Sequence, residues 1–173
     1  MKRKAVFLDR DGIINKPIIK SGHKPYSPRK ISELILNEDI KPVLEAAKQL
    51  GYVIIVITNQ PDIERGLMTE KMLHQIHKAI RQKLPIDDIL YCPHDDIDGC
   101  TCRKPKPGML FEAAKKWDID LSKSYYIGDQ ARDVQTALNA GCIPIILEYP
   151  YNTEVKDALR IRHLMELLQF IED

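Results

Sequence analysis

The 173-residue chain lacks the features that a membrane protein or a nucleic-acid-binding protein needs. No apolar run approaches the roughly 20 residues that cross a bilayer. The chain has 26 lysines and arginines against 25 aspartates and glutamates, for a formal net charge of +1, and aromatic residues make up only 6% of it. Interspersed charge of near-zero sum, with few aromatics, argues against binding to nucleic acid or to an anionic membrane surface. We therefore expect neither partner.

Internal repeats, low-complexity segments and an interdomain linker are also missing. The N-terminal residues 1–4 are basic, but Asp9 and Asp11 interrupt the apolar segment that follows. A signal peptide needs an uncharged apolar core, so we expect none, and we expect a cytoplasmic protein. With 44% apolar residues, a chain of this length can form one domain with a sizeable core. The expectation is a single domain over residues 1–173.

Short apolar runs alternate with helical patterns along the chain. The runs that predict strands are Val6–Leu8, Tyr52–Ile57, Asp88–Tyr91, Ser124–Ile127 and Ile143–Leu147. Apolar residues at helical spacing predict helices between these strands and a last helix near the C-terminus, and they place Leu138 on a buried helix face. Pro144 suggests that the last strand lies at an edge. Strands that alternate with helices predict an α/β fold, with a parallel sheet covered by helices on both faces.

Polar side chains follow three of these strands at the point where each strand ends. Asp9 and Asp11 follow the first strand, Thr58 and Asn59 the second, and Asp129 the fourth. The carboxyl ends of parallel strands lie at one edge of the sheet, where α/β proteins bind ligands. Two neighbouring carboxylates repel each other unless a cation lies between them. Together with a third acid from another strand, they predict a Mg²⁺ site.

Lys104 adds a positive charge to this set. It lies in the segment Arg103-Lys104-Pro105, between the second and the last of these strand ends. An ammonium group and the neutral donors of Thr58 and Asn59 suit the equatorial oxygens of a phosphoryl group during transfer. Structural roles are open for each residue, since Thr58 could cap a turn and Lys104 could be a solvated charge. Their occurrence together, each at or just beyond a strand end, favours a phosphoryl-transfer site.

In these motifs the sequence resembles the haloacid dehalogenase superfamily of phosphohydrolases. Asp9-Arg10-Asp11-Gly12 is similar to the first motif of that family, Thr58-Asn59 to the second, Lys104 to the third, and Gly128-Asp129 with Asp133 to the fourth. The resemblance implies a three-layer, Rossmann-like parallel sheet without a large cap domain. It also implies a Mg²⁺-dependent phosphatase in which Asp133 has a supporting role. A protein of this kind, with few exposed apolar residues evident, is expected to be a monomer.

The resemblance covers about Lys4–Leu147 and implies a role for each aspartate. Asp9 is expected to be the nucleophile that forms an aspartyl-phosphate. Asp11 is expected to protonate the leaving oxygen and then to deprotonate the attacking water. A carboxylate can approach a phosphate dianion only when Mg²⁺ and Lys104 neutralise its charge. Asp9, Asp11 and Asp129 are the expected Mg²⁺ ligands, with Asp11 offering only its backbone carbonyl, so that its side chain can keep a proton.

A second cluster occupies the loop 92–102, where Cys92, His94, Cys100 and Cys102 have the spacing C-x-H-x₅-C-x-C. In a reducing compartment such clustering indicates a metal site rather than disulfides. Three thiolates and one imidazole form the tetrahedral ligand set of a structural Zn²⁺. With all four positions filled, the ion would fold the loop and orient the two basic residues after Cys102. Three reduced cysteines in an irregular loop are the structural alternative.

This loop makes the chain similar to the branch that contains D-glycero-D-manno-heptose 1,7-bisphosphate phosphatases and histidinol-phosphate phosphatases. Thr58-Asn59-Gln60 with Arg65-Gly66 resembles the heptose enzymes. Pro61-Asp62 departs from them, and the five-residue gap between His94 and Cys100 matches the histidinol-phosphate enzymes. The resemblance implies a small phosphorylated sugar as substrate, above all the heptose bisphosphate with loss of its 7-phosphate. Substrate contacts are expected from Asn59, Gln60 and Arg103.

Two other functions stay open at this point. Histidinol phosphate carries a cationic amine and an imidazole, so its enzyme should present acidic side chains near the phosphate; the candidates are Asp62, Glu64, Asp95 and Asp96. From a different class, a zinc knuckle could bind nucleic acid through Arg103, Lys104 and Lys106. The near-neutral charge and the few aromatics count against this second alternative.

Overall fold

Six parallel strands form one sheet in the computed structural model, which describes residues 2–19 and 26–171. The strands are β1 (Ala5–Leu8), β2 (Val53–Asn59), β3 (Asp88–Cys92), β4 (Tyr125–Gly128), β5 (Ile143–Leu147) and β6 (Leu159–Ile161). Their order in the sheet is β3-β2-β1-β4-β5-β6, and every neighbouring pair is parallel. The strand order reverses between β1 and β4, and this is where open α/β sheets form a ligand-binding crevice. The predicted parallel α/β fold is confirmed.

Helices cover both faces of the sheet. They are α1 (Ile40–Gln49), α2 (Glu70–Lys83), α3 (Gly108–Trp117), α4 (Ala131–Ala140) and α5 (Leu168–Ile171). Successive side chains of a strand point to opposite faces. Val6 and Leu8 therefore join the core beneath α1, α2 and the C-terminal segment, whereas Phe7 joins the core beneath α3 and α4. Burial on both sides explains why the central strands contain no polar residue before their ends.

Local sequence signals set the ends of several helices. Thr69 caps α2, because its side chain accepts a hydrogen bond from the backbone N–H of Met72 at 3.2 Å. Gly141 follows α4 with a φ of +78°, a left-handed conformation that favours glycine and ends a helix. These ends determine where each following strand enters the sheet, and thus which residues lie at the crevice.

The edge of the sheet differs from the prediction. β5 lies inside the sheet because the three-residue strand β6 pairs with it from Ile145 to Leu147. Pro144 precedes this paired part, so its missing N–H costs no bond to β6. The sequence of β6 gave no strand signal, because Leu159 is exposed and only Ile161 is fully buried. The short strand forms because β5 presents a free edge to it.

Two further expectations need correction. Leu138 of α4 is 44% exposed, so it does not belong to the buried face of that helix. The expected C-terminal helix begins as a 3₁₀ turn, Leu164–Leu167, before α5. Between β1 and α1, Ile18 pairs with Tyr26, and residues 20–25 lie outside the described residues. Within the described ranges, no helix has the length and apolar character that a membrane span requires.

The two leucines of different burial generate a stability prediction. Leu44 of α1 is fully buried, whereas Leu138 is not. Leu44→Ala should lower the free energy of unfolding by about 2–5 kcal/mol, because it removes apolar contacts and leaves a cavity. Leu138→Ala should cost less than about 1 kcal/mol. Urea denaturation of both variants measures the difference, and similar losses would contradict the burial assigned to Leu138.

Candidate active site

Three buried carboxylates meet at the carboxyl ends of β1 and β4. Asp9 follows β1, Asp129 follows β4, and Asp133 lies in the first turn of α4, with one carboxylate oxygen of each within 4.8 Å of the others. Two glycines permit this approach. A Cβ at Gly12 would lie 2.5 Å from Asp129 Oδ2, and one at Gly128 would lie 2.2 Å from Asp133 Cβ. Neither position has room for a side chain, which explains the glycine in each motif.

The Lys104 ammonium group lies among these carboxylates. Its Nζ is 2.8 Å from Asp9 Oδ1 and 2.7 Å from Asp133 Oδ1, and the side chain is almost completely buried. Burial alone would lower the pKa of Lys104, but the charges of Asp133 and Asp9 outweigh it and hold that pKa well above its usual value. Lys104 is therefore a permanent positive charge beside the predicted nucleophile.

Burial and mutual repulsion destabilise the ionised forms of these carboxylates. Burial raises the pKa of Asp9 to about 8; Lys104 opposes this shift, and the neighbouring acids add to it. Burial likewise raises the pKa of Asp129 to about 6, although a hydrogen bond from Tyr151 acts in the opposite direction. Crowded, buried carboxylates of this kind keep protons to a higher pH than exposed ones unless a cation joins them.

The hydrogen bonds of the cluster test whether Mg²⁺ fits. Asp129 Oδ1 is buried and has no hydrogen-bond partner among the described residues. Asp133 is different, because Oδ1 contacts Lys104 and Oδ2 accepts from the backbone N–H groups of Asp129 and Gln130. Asp9 Oδ1 also has two donors, Lys104 and the Arg10 N–H. The oxygens left over, on Asp9 and Asp129, are hard ligands of the type that Mg²⁺ prefers, while Asp133 orients its neighbours.

The Asp11 carboxylate points away from this cluster. It accepts hydrogen bonds from the Arg10 guanidinium at 3.0 and 3.1 Å, from Asn15 Nδ2 at 2.9 Å, from Ser27 Oγ at 2.7 Å and from Gln60 Nε2 at 3.0 Å. Burial raises the pKa of Asp11, but Arg10 and the other donors outweigh it, and the pKa lies below its ordinary value. Hydrogen bonds from four residues therefore stabilise the ionised form of Asp11 in this arrangement, and its role as proton donor stays a prediction.

Residues 58–60 orient other site residues. Thr58 Oγ1 accepts from Gln60 Nε2 at 2.9 Å, and Gln60 is fully buried behind Asp11. Asn59 accepts from the Lys104 N–H at 3.0 Å and donates to the Lys104 carbonyl at 3.3 Å. Both amides thus fix two charged residues of the site, Lys104 and Asp11. Contact of Asn59 and Gln60 with substrate stays a prediction.

The four predicted zinc ligands converge. His94 Nδ1 is 3.5 Å from Cys92 Sγ and 3.3 Å from Cys102 Sγ, and Cys100 Sγ is 3.5 Å from Cys92 Sγ. All four ligand atoms lie within 4.8 Å of one another. A single ion at about 2.0–2.3 Å from each atom can bridge such a set, so the residues fit a structural Zn²⁺.

Arg103 is held inside the zinc loop. Its guanidinium donates to Asp96 Oδ1 at 2.6 Å and to the His94 carbonyl at 3.0 Å, and the residue is buried. It was predicted to contact substrate, but these bonds show that it also connects the two ends of the cysteine loop. Lys104 follows it directly, and the Lys104–Pro105 peptide bond is cis. Because Arg103 is bonded to the zinc loop and precedes Lys104 directly, the position of the loop and that of the Lys104 ammonium are linked.

Ion pairs join the loops around the opening of the site. Arg29 Nε contacts Asp62 Oδ2 at 2.7 Å, which ties the loop after β1 to the loop after β2. Arg65 Nε contacts Asp95 Oδ2 at 2.5 Å, which ties the loop after β2 to the zinc loop. Three loops and no separate cap therefore border the crevice in the described part of the chain.

A model of the family described as haloacid dehalogenase-like hydrolase matches residues 15–141. The chain belongs to this family. A relative from Campylobacter jejuni, named D-glycero-alpha-D-manno-heptose-1,7-bisphosphate 7-phosphatase, is 34% identical over 178 aligned residues, covering 100% of this chain and 98% of its own. The relative from Helicobacter pylori strain 26695, named as the 7-phosphatase of the beta anomer, is 39% identical over 143 residues, 79% of each chain.

Solved structures agree with this assignment. A crystal structure of D,D-heptose 1,7-bisphosphate phosphatase from B. bronchiseptica, complexed with magnesium and phosphate, has a TM-score of 0.81 and 30% identity over 96% of this chain and 98% of its own. The predicted membership of the haloacid dehalogenase family is confirmed. The three-layer fold of these hydrolases is also that of the present chain.

Sequence reasoning missed a buried pair behind the active site of this hydrolase. Arg10 is fully buried, and its Nη1 lies 3.3 Å from Nε2 of the buried His77. Arginine can only donate, so His77 accepts with a neutral ring. Burial, and then the charge of Arg10, lower the pKa of His77 to about 3. The sequence did contain one indication of this pair: His77 lies among Leu73, Ile76 and Ile80 on the apolar face of α2.

This pair predicts a loss of stability in mild acid. Below about pH 6.5 the unfolded chain protonates His77 and the folded chain does not, so stability falls as the pH falls toward the folded pKa. Wild type should therefore lose about 2 kcal/mol more than His77→Gln between about pH 7.5 and about pH 5. The glutamine keeps an acceptor for Arg10.

Urea denaturation at the two pH values gives the comparison. His74→Gln is the matched control, because His74 is exposed on the same helix. That variant should follow the wild-type profile. Parallel profiles for wild type and His77→Gln would contradict the neutral state assigned to His77.

Proposed function

We propose that this protein is a Mg²⁺-dependent phosphomonoesterase that removes the 7-phosphate of D-glycero-D-manno-heptose 1,7-bisphosphate. The observation that carries the proposal is the buried set of Asp9, Lys104 and Asp129, with an ion pair of 2.8 Å at Asp9 and an unpartnered oxygen on Asp129. The relatives named above act on this bisphosphate by name. Those names include both anomers, and the proposal covers both.

Asp9 is the proposed nucleophile. Its carboxylate attacks phosphorus, the P–O bond to the sugar breaks, and an aspartyl-phosphate forms. Lys104 neutralises negative charge on the transferred group from its position beside Asp9. When bound by Asp9 and Asp129, Mg²⁺ supplies the remaining charge neutralisation. Thr58, which lies at the end of β2, is the proposed neutral donor to a phosphoryl oxygen.

Asp11 is the proposed acid and base. Its ionised form is suited to accept a proton from the water that hydrolyses the aspartyl-phosphate. Donation to the leaving oxygen requires a proton on Asp11, and the negative charge of a bound phosphate raises the pKa of a nearby carboxyl. Arg10, which holds Asp11 through three hydrogen bonds, keeps this group oriented in the crevice.

The charges around the opening favour a sugar phosphate over histidinol phosphate. Asp62, Asp95 and Asp96 were candidates to bind a cationic substrate, but each is already paired with an arginine. Glu64 is exposed and makes no ion pair with the described residues. A cationic amine would have to displace those arginines, whereas a second phosphate could use the remaining donors of Arg29 and Arg65, whose side chains are 36% and 44% exposed.

The zinc cluster is proposed to be structural. Burial of Arg103 and Lys104, 8% and 4% exposed, also removes the basic contacts that a nucleic-acid-binding zinc knuckle would need. In this proposal Zn²⁺ fixes the loop 92–102. Because Cys102 directly precedes Arg103 and Lys104, the ion also fixes the position of these two basic residues. The cytoplasmic location, the monomeric state and the single domain stay predictions.

Phosphate release across a substrate panel tests the proposal. The panel contains the alpha and beta heptose 1,7-bisphosphates, histidinol phosphate and hexose phosphates. We expect the highest kcat/KM on a heptose bisphosphate, with Mg²⁺ required. Asp9→Asn is the control, because an amide is a poor nucleophile, and this variant should fold and release no phosphate. Faster turnover of histidinol phosphate would contradict the substrate, and an active Asp9→Asn would contradict covalent catalysis.

The zinc loop generates a separate prediction. Cys102→Ser replaces a thiolate with a weak ligand, so the protein should lose zinc, and kcat/KM should fall about 10²-fold because Lys104 is displaced from Asp9. Elemental analysis and phosphate release measure the two effects. Cys142→Ser, which changes a buried thiol outside the loop, should keep its zinc. A zinc-free Cys102→Ser protein with full kcat/KM would limit the loop to a role in stability.

A further inference from the structure

The segment after β5, Tyr149–Asn152, packs against the acidic cluster although no sequence motif indicated it. The Tyr151 hydroxyl donates to Asp129 Oδ2 at 2.5 Å. The buried Asn152 side chain donates to the Asp129 carbonyl and to the Leu147 carbonyl, both at 2.8 Å. Asp129 is therefore held at its side chain and its backbone by the same short segment.

The two oxygens of Asp129 have different surroundings. Oδ2 accepts the Tyr151 hydroxyl, while Oδ1 is buried and has no partner in the described ranges. A carboxylate fixed through one oxygen cannot rotate freely, so the other keeps a constant direction. Hydrogen bonds of this kind from outside the coordination sphere orient metal ligands and contribute to metal affinity.

Tyr151 is itself held in place. Its ring stacks on Tyr149, with centroids 5.1 Å apart and planes 6° from parallel. The Tyr149 hydroxyl donates to the Gly12 carbonyl at 3.0 Å. Gly12 in turn lies against Asp129, as the close approach to its missing Cβ shows. An exposed tyrosine thus gains a defined orientation from a neighbour that is anchored next to the cluster.

We propose that Tyr151 is a positioning residue for the magnesium site: its hydroxyl, fixed by the stack on Tyr149, orients Asp129 for the ion. This inference rests on the Mg²⁺ dependence of the proposed function. It assigns to the segment after β5 a role in metal affinity rather than in bond making. Tyr151 touches neither the transferred phosphate nor the nucleophile in this account.

The alternative is that the Tyr151 hydroxyl competes with Mg²⁺, and the experiment must distinguish this role from positioning. A hydroxyl on Asp129 could occupy the space of the ion and compete with it. Removal of the hydroxyl would then strengthen Mg²⁺ binding. In the positioning role, removal weakens binding, because Asp129 gains rotational freedom and loses a partner for Oδ2. The two roles therefore predict shifts of opposite sign.

The test is isothermal titration calorimetry of the purified, zinc-loaded protein with MgCl₂ in the absence of substrate, which measures the Kd for Mg²⁺. Tyr151→Phe should raise the Kd for Mg²⁺ about tenfold. Tyr149→Phe is the matched comparison: it keeps the stacked ring and the Tyr151 hydroxyl but loses the bond to Gly12, so it should raise Kd by less than Tyr151→Phe does. The rise in Tm on adding Mg²⁺ should be smaller for Tyr151→Phe than for wild type at equal concentration.

Kinetics supply a second readout. For Tyr151→Phe, the Mg²⁺ concentration that gives half-maximal activity should rise about tenfold, while kcat at saturating Mg²⁺ changes less than about threefold. An unchanged or lower Kd would overturn the inference, and so would a wild-type protein that binds no Mg²⁺. If no panel substrate is hydrolysed but Tyr151→Phe still weakens Mg²⁺ binding, the proposed function fails and the inference stands.

Discussion

The Lys104 ammonium between Asp9 and Asp133 is the interaction on which the rest of the site depends. A buried charge is tolerated only when it is paired, and removal of one partner strands the others. Lys104 therefore ties together the end of β1, the start of α4 and the segment after the zinc loop. Asn59 completes the constraint by binding both backbone groups of Lys104.

The strand-end residues of the site could be predicted from the sequence because each follows an apolar run that is recognisable on its own. Asp9, Thr58 and Asp129 each follow a buried strand, and parallel strands bring their carboxyl ends together whatever the loops do. The zinc ligands were likewise predictable, since four soft or borderline ligands lie within 11 consecutive residues, 92–102. The structure brings Asp9 and Asp129 together with Asp133, and it brings the four zinc ligands together with one another.

Contacts that depend on how distant loops approach each other were not predictable. Asn59 and Gln60 were expected to face substrate, and only the packed structure shows that they hold Lys104 and Asp11. The Tyr149 hydroxyl reaches a carbonyl 137 positions away in the sequence, and no periodicity carries that information. β6 was missed for a related reason: its three residues have little strand character, and the neighbouring edge of β5 induces them to pair.

Charge balance connects the metal to the protonation of the site. Asp9, Asp129 and Asp133 against Lys104 leave two negative charges uncompensated when all four groups are ionised. When no metal ion is bound, this excess negative charge favours protonation, and the pKa values of Asp9 and Asp129 are raised to about 8 and about 6. A divalent ion relieves it equally well. Asp11 is balanced by its own ion pair with Arg10 and does not enter this count, but a proton on Asp11 leaves the Arg10 charge unpaired beside the site, so its protonation and the charge of the cluster are linked.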